Sequence, residues 1–84
     1  MNGLTQLAFI GFSASGEITE IKQLSLGLKL EQVFIAAKGN VEAMLKSDSV
    51  SVRIVISEQR QVTFCSADKV EETLTRLMKK AGDA

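Results

Sequence analysis

Apolar and polar residues recur along this chain with two different periods, and the longer period marks a helix. Over residues 30–46, LEQVFIAAKGNVEAMLK, apolar side chains return every three to four positions. This spacing places them on one side of a helix with 3.6 residues per turn. Gly39 and Asn40 lie in the middle of this segment, where they could bend the helix or split it. The apolar stripe consists of Leu30, Val33, Phe34, Ala37, Val41, Met44 and Leu45.

The chain before this helix indicates a β-hairpin over residues 6–21. Residues 6–12 form an apolar run of strand length, and residues 17–21 form a second short run. The cluster between them, Ser-Ala-Ser-Gly, is typical of a tight turn. A phosphate-binding loop is the alternative, but that motif leads into a helix, whereas a strand follows here. Residues 1–5 carry no clear pattern, and we expect them to fray.

Residues 22–29 carry two overlapping patterns. Leu24, Leu26 and Leu28 alternate with polar residues or glycine as they would in a strand, whereas Leu26 also fits an early start of the helix. Strand, loop and helix are all compatible with this segment. We interpret it as an extended connection into the helix near Leu30. Its leucines need burial, either in the core or against another chain.

A second period-2 pattern follows the long helix. Val50, Val52 and Ile54 alternate with polar or less apolar residues, which gives the strand one strongly apolar face. A polar turn and a shorter strand follow, so residues 50–65 are predicted to form a second hairpin.

The last part of the chain carries a helix signature. Asp68, with Glu71 three residues later, has the pattern of a capping box, and an apolar stripe follows at helical spacing. We predict a helix over residues 68–81. The fold class is then α+β, a single domain over residues 1–84 with the order ββαββα. Its two hairpins form an antiparallel sheet on which the helices pack.

Composition narrows the possible functions. The 84 residues suit one domain, 45% of them are hydrophobic, and ten basic residues balance ten acidic ones. This balance creates no field that would attract nucleic acid or an anionic membrane surface, and no apolar run is long enough to span a bilayer. We expect neither nucleic acid nor membrane as a partner. A domain of this size is marginally stable alone, which favours association with itself or with another protein.

The chain has no histidine and one cysteine. Histidine-activated nucleophiles and histidine metal ligands are therefore excluded, and we predict no catalytic residue, cofactor or metal. A single cysteine cannot form an intrachain disulfide, which is compatible with the reducing cytoplasm. Cys65 ends an apolar strand, where a cysteine is usually a small core residue. It also precedes a helix, where a thiolate is favoured, so it is the candidate for a reactive thiol.

Three segments together resemble one known family. The hairpin LAFIGFSASGEITEI, the long helix and the segment VSVRIVISEQRQVTFCSADK are similar to the roadblock/LC7 (longin-like) family, over about residues 7–64. That family has a turn of the type S-x-x-G-x-x-I between its first two strands. Ser13, Gly16 and Thr19 lie near these places, and Ile18 and Ile21 flank the position expected for the isoleucine.

This resemblance implies a non-enzymatic scaffold that dimerises and regulates small GTPases or motor complexes. It also implies pairing through the long helix and the strand after it, which would place residues 30–46 and 50–57 at or near the dimer surface. Together with the leucines that need burial, the candidate interface residues are Leu24, Leu26, Leu28, Val50, Val52 and Ile54.

From these observations we expect a cytoplasmic, regulatory interaction module that acts as a homodimer or as a subunit of a complex. The alternative is a small-ligand-binding protein or minor enzyme. It would use a cleft beneath the long helix, with Cys65 or a carboxylate as the reactive group.

Overall fold

Two hairpins and two helices account for most of the described chain. The structure is a computed structural model that describes the backbone of residues 5–26 and 30–82 and the side chains of residues 6–25 and 32–77. Its elements are β1 (Thr5–Phe12), β2 (Ile18–Leu26), α1 (Leu30–Lys46), β3 (Ser51–Ser57), β4 (Arg60–Phe64) and α2 (Val70–Gly82). The strands form one antiparallel sheet in the order β2–β1–β3–β4. A small α+β domain with a four-stranded antiparallel sheet and two helices is thereby confirmed.

β1 and β2 are joined by a tight turn over residues 13–17. The Ser13 amide donates to the Glu17 carbonyl (2.8 Å), and the Gly16 amide donates to the Ser13 carbonyl (2.9 Å). Gly16 has a φ of 89°, a left-handed conformation that glycine adopts without steric cost. The Glu17 amide donates to the Ser13 hydroxyl (3.2 Å). These amides are used inside the turn, which supports a hairpin turn rather than a phosphate-binding loop.

β2 is longer than the sequence pattern suggested. Its pairing with β1 runs from Ile18 opposite Phe12 to Leu26 opposite Thr5. Residues 22–26 therefore belong to the strand and not to a connection, since the ladder of hydrogen bonds with β1 continues along them. Residues 27–29 lie outside the described part of the chain, as do residues 1–4 of the segment expected to fray.

The register divides the sheet into a covered face and an open face. Directly opposed residues on antiparallel strands point to the same side, and Phe9 lies opposite Ile54. Both are fully buried beneath the helices. Ile10, next to Phe9 along the strand, points to the other side together with its partner Ile21, whose side chain is 57% exposed. Within the described part of the chain, the sheet is therefore packed on one face only.

α1 covers the sheet with the side that its periodicity predicts. The helix continues through Gly39 and Asn40 without interruption, and Asn40 Nδ2 donates to the Ala36 carbonyl one turn earlier (2.9 Å). The amide side chain is thus satisfied within the helix itself. The buried side chains of α1 are Val33, Ala37, Val41 and Met44.

α2 begins two residues later than predicted, at Val70. The Thr73 amide donates to the Lys69 carbonyl (2.9 Å), which makes Lys69 the N-cap position. Asp68 precedes that position and is exposed, and its side chain makes no hydrogen bond with any described residue. The predicted capping box of Asp68 and Glu71 is therefore not formed. The helix still packs through the predicted stripe, whose fully buried members are Val70 and Leu74.

A partly buried polar contact lies at the end of the sheet near the first turn. Ser49 is 4% exposed, and its hydroxyl lies 2.6 Å from the hydroxyl of Thr19. Both oxygens lie close to Gly11 of β1, on the side where a side chain would begin. A Cβ atom added to Gly11 would collide with Ser49 Oγ and would lie 2.8 Å from Thr19 Oγ1 and 3.1 Å from Met44 Cε. Only a residue without a side chain fits at this point of the strand.

Candidate interaction surfaces

The predicted interface residues of β3 lie in the core. Val52 and Ile54 have no exposed surface, and they lie opposite Gly11 and Phe9 of β1. β3 is an interior strand between β1 and β4, so its backbone is also paired on both sides. This corrects the prediction for these two residues, because the apolar face of β3 is the face that the helices cover.

Of the three leucines in residues 22–29, only Leu24 has a described side chain. Leu24 is half-buried, packs against the core and lies opposite Leu7. The side chain of Leu26 and the whole of Leu28 lie outside the described residues. Leu24 therefore contributes to internal packing at the edge of the sheet.

Val50 is the one candidate whose described side chain faces solvent. It is 52% exposed and lies just before β3. Its amide donates to the Phe12 carbonyl (2.8 Å), so the backbone at this position is held by β1. The Val50 side chain is therefore exposed to solvent on a backbone that is hydrogen-bonded to β1.

Cys65 is exposed and does not belong to the core. Phe64, which precedes it in the chain, is 6% exposed and points inward, and alternation along the strand then directs Cys65 outward. The expectation of a core cysteine is therefore wrong. The helix that follows begins only at Val70, so the thiol does not lie at a helix N-terminus either.

We expect Cys65 to react readily with Ellman's reagent in the folded protein, because its side chain is exposed. The release of thionitrobenzoate should proceed about as fast as in protein unfolded by denaturant. A rate more than about tenfold slower in the folded state would contradict the exposed position. Since exposure alone explains fast labelling, only protection by an added ligand would support a ligand-binding or enzymatic role.

The outer side of α1 carries Ile35, which is 71% exposed. It borders a shallow groove that also contains Lys38 and Glu42, two side chains of opposite charge one turn apart, and Glu71 of α2. Gly39 lies between them, and no heavy atom stands within 4 Å of the place where its Cβ would be. This side of the helix therefore carries an exposed apolar side chain at Ile35, free space at Gly39 and side chains of both charges.

The open face of the sheet combines exposed apolar side chains on the edge strand β2 with one arginine on β3. Ile18 and Ile21 are each 57% exposed there. The guanidinium carbon of Arg53 lies 5.0 Å from the centroid of the Phe12 ring, which is within the range of a cation–π contact. Arg53 Nε also donates to Thr63 Oγ1 (3.3 Å). Two neighbours thus hold the guanidinium over the sheet.

The space beneath α1 is filled by side chains. Val33, Ala37 and Val41 have no exposed surface, and they belong to one cluster with Phe9 and Ile54 of the sheet. This packing gives no support to a ligand cleft beneath the long helix. Within the described side chains, no group of three or more cysteine, aspartate or glutamate residues is arranged to hold a metal ion.

The chain is thus a small α+β domain whose sheet is covered on one face. Comparison of the chain with models of known families, with curated proteins and with solved structures found no match. Neither α1 nor α2, as far as they are described, combines the length and the apolar character that a bilayer-crossing helix needs. The function is therefore inferred from the chain's own surfaces.

Proposed function

We propose that this protein is a non-enzymatic, cytoplasmic interaction module that acts as a homodimer or as a subunit of a complex. We propose further that its copies pair through the outer side of α1. The observation that supports this surface is Ile35, a large apolar side chain that is 71% exposed on a helix otherwise well packed. Burying such a side chain contributes about 2 kcal/mol, and a two-fold interface buries it twice.

The charges near Ile35 suit a second copy of the same surface. In a two-fold interface the same patch faces itself, so a patch that carries both signs can pair with its own image. With α1 antiparallel to its image and the axis near Gly39, Lys38 of each copy faces Glu42 of the other. Gly39 allows the two backbones to approach closely there, because no side chain intervenes.

The size of the domain also favours pairing. A chain of 84 residues buries only about 60% of the surface that it exposes when unfolded, so its core alone stabilises it weakly. An interface that covers Ile35 would add to this stability by mass action, since the dimer binds only folded chains.

Light scattering on purified protein across a concentration series tests this proposal. We expect twice the monomer mass of 9.1 kDa for the wild type. Ile35→Asp should weaken the dimer at least about 100-fold, because a buried carboxylate without a partner is strongly unfavourable in an interface. Ile21→Asp is the matched control: it places the same charge at a comparably exposed isoleucine on the open face of the sheet, and it should leave the mass unchanged.

A wild-type protein that stays monomeric throughout the concentration series would contradict the proposed homodimer. A wild-type dimer that survives Ile35→Asp but dissociates with Ile21→Asp would show that the sheet, and not α1, is the pairing surface.

We also propose that the module is related to the roadblock/LC7 scaffolds, with the element order ββαββα, and that it regulates a small GTPase or a motor complex. Two features support this part. A first hairpin, a long helix and a second hairpin follow one another along the chain, and Ser13 and Gly16 form the turn of the first hairpin. The absence of binding between the purified protein and a panel of small GTPases and motor-complex subunits would count against it.

A further inference from the structure

A second interaction surface lies on the open face of the sheet, away from α1. We propose that this face docks an apolar segment of a different protein that carries an aspartate or glutamate opposite Arg53. Arg53 of β3 is the anchor, and the exposed isoleucines of β2, Ile18 and Ile21, form the apolar part of the surface. This docking surface is independent of the pairing through α1.

Arg53 is held in place but has no acidic neighbour in the described part of the chain. Its Nε is used by Thr63, and its guanidinium lies over Phe12. The ion pairs among described side chains are Glu20 with Lys22 and Glu72 with Arg76, and neither includes Arg53. A guanidinium positioned in this way loses less side-chain entropy when it binds a carboxylate, and its remaining N–H groups suit that ligand.

Along β1 and its partners on β2 and β3, the described part of this face has no second charge. Along β1, the residues that point to this side and their partners on β2 and β3 include no ionisable side chain other than Arg53. The charged residues of β2, Glu20 and Lys22, lie opposite Gly11 and Phe9 and so point to the covered side. A single cation therefore lies opposite Ile10, and Ile21 follows on the next strand. Uncharged polar residues such as Gln23 and Thr63 share this face. Such a surface suits a partner that is apolar with one negative charge.

A second copy of this chain does not suit this face. A two-fold contact between two open faces would bring two Arg53 side chains into one interface that has no carboxylate to neutralise them, and buried like charges are strongly unfavourable. α1 differs, because its outer side carries both signs. Nucleic acid does not suit the face either, since its affinity comes from several phosphate contacts and only one cation is present.

Selection from a display library of short random peptides tests the proposal. The library is selected on wild-type protein and counter-selected on Arg53→Met, which keeps a long apolar stem but removes the charge. We expect enriched peptides in which an acidic residue is flanked by apolar ones. An enriched peptide is then synthesised together with its amide analogue, in which the acidic residue is replaced by Asn or Gln.

Binding of the two peptides to four proteins, the wild type and three variants, gives the decisive comparison. On the wild type, the amide analogue should bind about tenfold more weakly, as expected for one charge-assisted pair. On Arg53→Met, both peptides should bind equally weakly. Arg76→Met removes an exposed arginine of α2 and is the matched control, for which the tenfold difference should persist. Ile21→Asp should abolish binding of the acidic peptide.

Three outcomes would overturn the proposal: no enriched peptide, equal binding to the wild type and Arg53→Met, or enriched peptides without an acidic residue. If Arg53→Met lost the native circular dichroism spectrum, Arg53→Lys would take its place, and the tenfold difference should then shrink. Light scattering on the same samples separates this proposal from the dimer, because Arg53→Met should keep the wild-type mass.

Discussion

Gly11→Ala should lower the free energy of unfolding by about 3 kcal/mol, although it adds a single methyl group. The new Cβ would collide with the buried hydroxyl of Ser49 and would crowd Thr19 and Met44. Ser49 cannot easily move away, since it is 4% exposed and its hydroxyl is bound to Thr19. Urea unfolding followed by circular dichroism measures the loss. A domain of this size has on the order of 4–13 kcal/mol in total, so the effect is large.

Gly39→Ala is the control for this substitution. It makes the same chemical change at an exposed helical position where an added Cβ meets no atom within 4 Å. Because alanine has a higher helix propensity than glycine, we expect a gain of about 1 kcal/mol instead of a loss in the monomer. Both glycine substitutions are therefore compared in the Ile35→Asp background, where pairing through α1 does not contribute. The double variant Gly11→Ala/Ser49→Ala should recover part of the loss, since it removes the oxygen that the new methyl group meets. Equal effects of the two glycine substitutions would contradict the close packing at Gly11.

Phe9→Ala should lower the free energy of unfolding by about 4 kcal/mol, a large share of the total for a domain of this size. Phe9 is one of the largest fully buried side chains. It belongs to β1, lies opposite Ile54 of β3 and points into the core between the sheet and the helices. Its removal loses the burial of the ring and leaves a cavity that the surrounding side chains can fill only in part. Thermal unfolding monitored by circular dichroism would report this loss.

Phe12→Ala is the matched control, since it removes the same side chain from the same strand but from the open face. Phe12 is only partly buried and stacks with Arg53, so we expect a loss of about 1 kcal/mol. A smaller loss for Phe9 than for Phe12 would show that the helices cover the other face of the sheet.

The types of the elements could be predicted because they follow from local periodicity. The spacing of Val33, Ala37 and Val41 placed them on one side of a helix, and all three are fully buried. The alternation of Val52 and Ile54 likewise placed both on one strand face, and both are buried. These patterns depend only on which positions share a face, and that is a property of the local backbone geometry.

The candidate site was predicted less well because its residues depend on the strand order. The pattern of residues 50–57 shows one apolar face but does not state whether a helix of the same chain or another protein covers it. The order β2–β1–β3–β4 makes β3 an interior strand, which assigns Val52 and Ile54 to the core. Ile35 was missed for a related reason. It lies in a helix that is apolar at many positions, and its neighbour in sequence, Phe34, fits the buried stripe better.

One wrong prediction, that of a core cysteine, could have been avoided from the sequence. If Phe64 points inward on a strand, Cys65 must point outward, and the alternation was available without a structure. For Asp68 the signal was misleading. Its spacing from Glu71 fits a capping box, but the N-cap position lies one residue later in the chain, at Lys69.

The sequence by itself determined where the helices and hairpins lie and which residues share a face, because both are set within a few residues of chain. Only the tertiary structure decided which faces are covered. It also brought Gly11 against Ser49 and Arg53 against Phe12, residues that are remote in the chain but adjacent in space. Such contacts arise when β3 pairs with β1, and no local pattern records that pairing because it joins strands that are separated by the whole of α1.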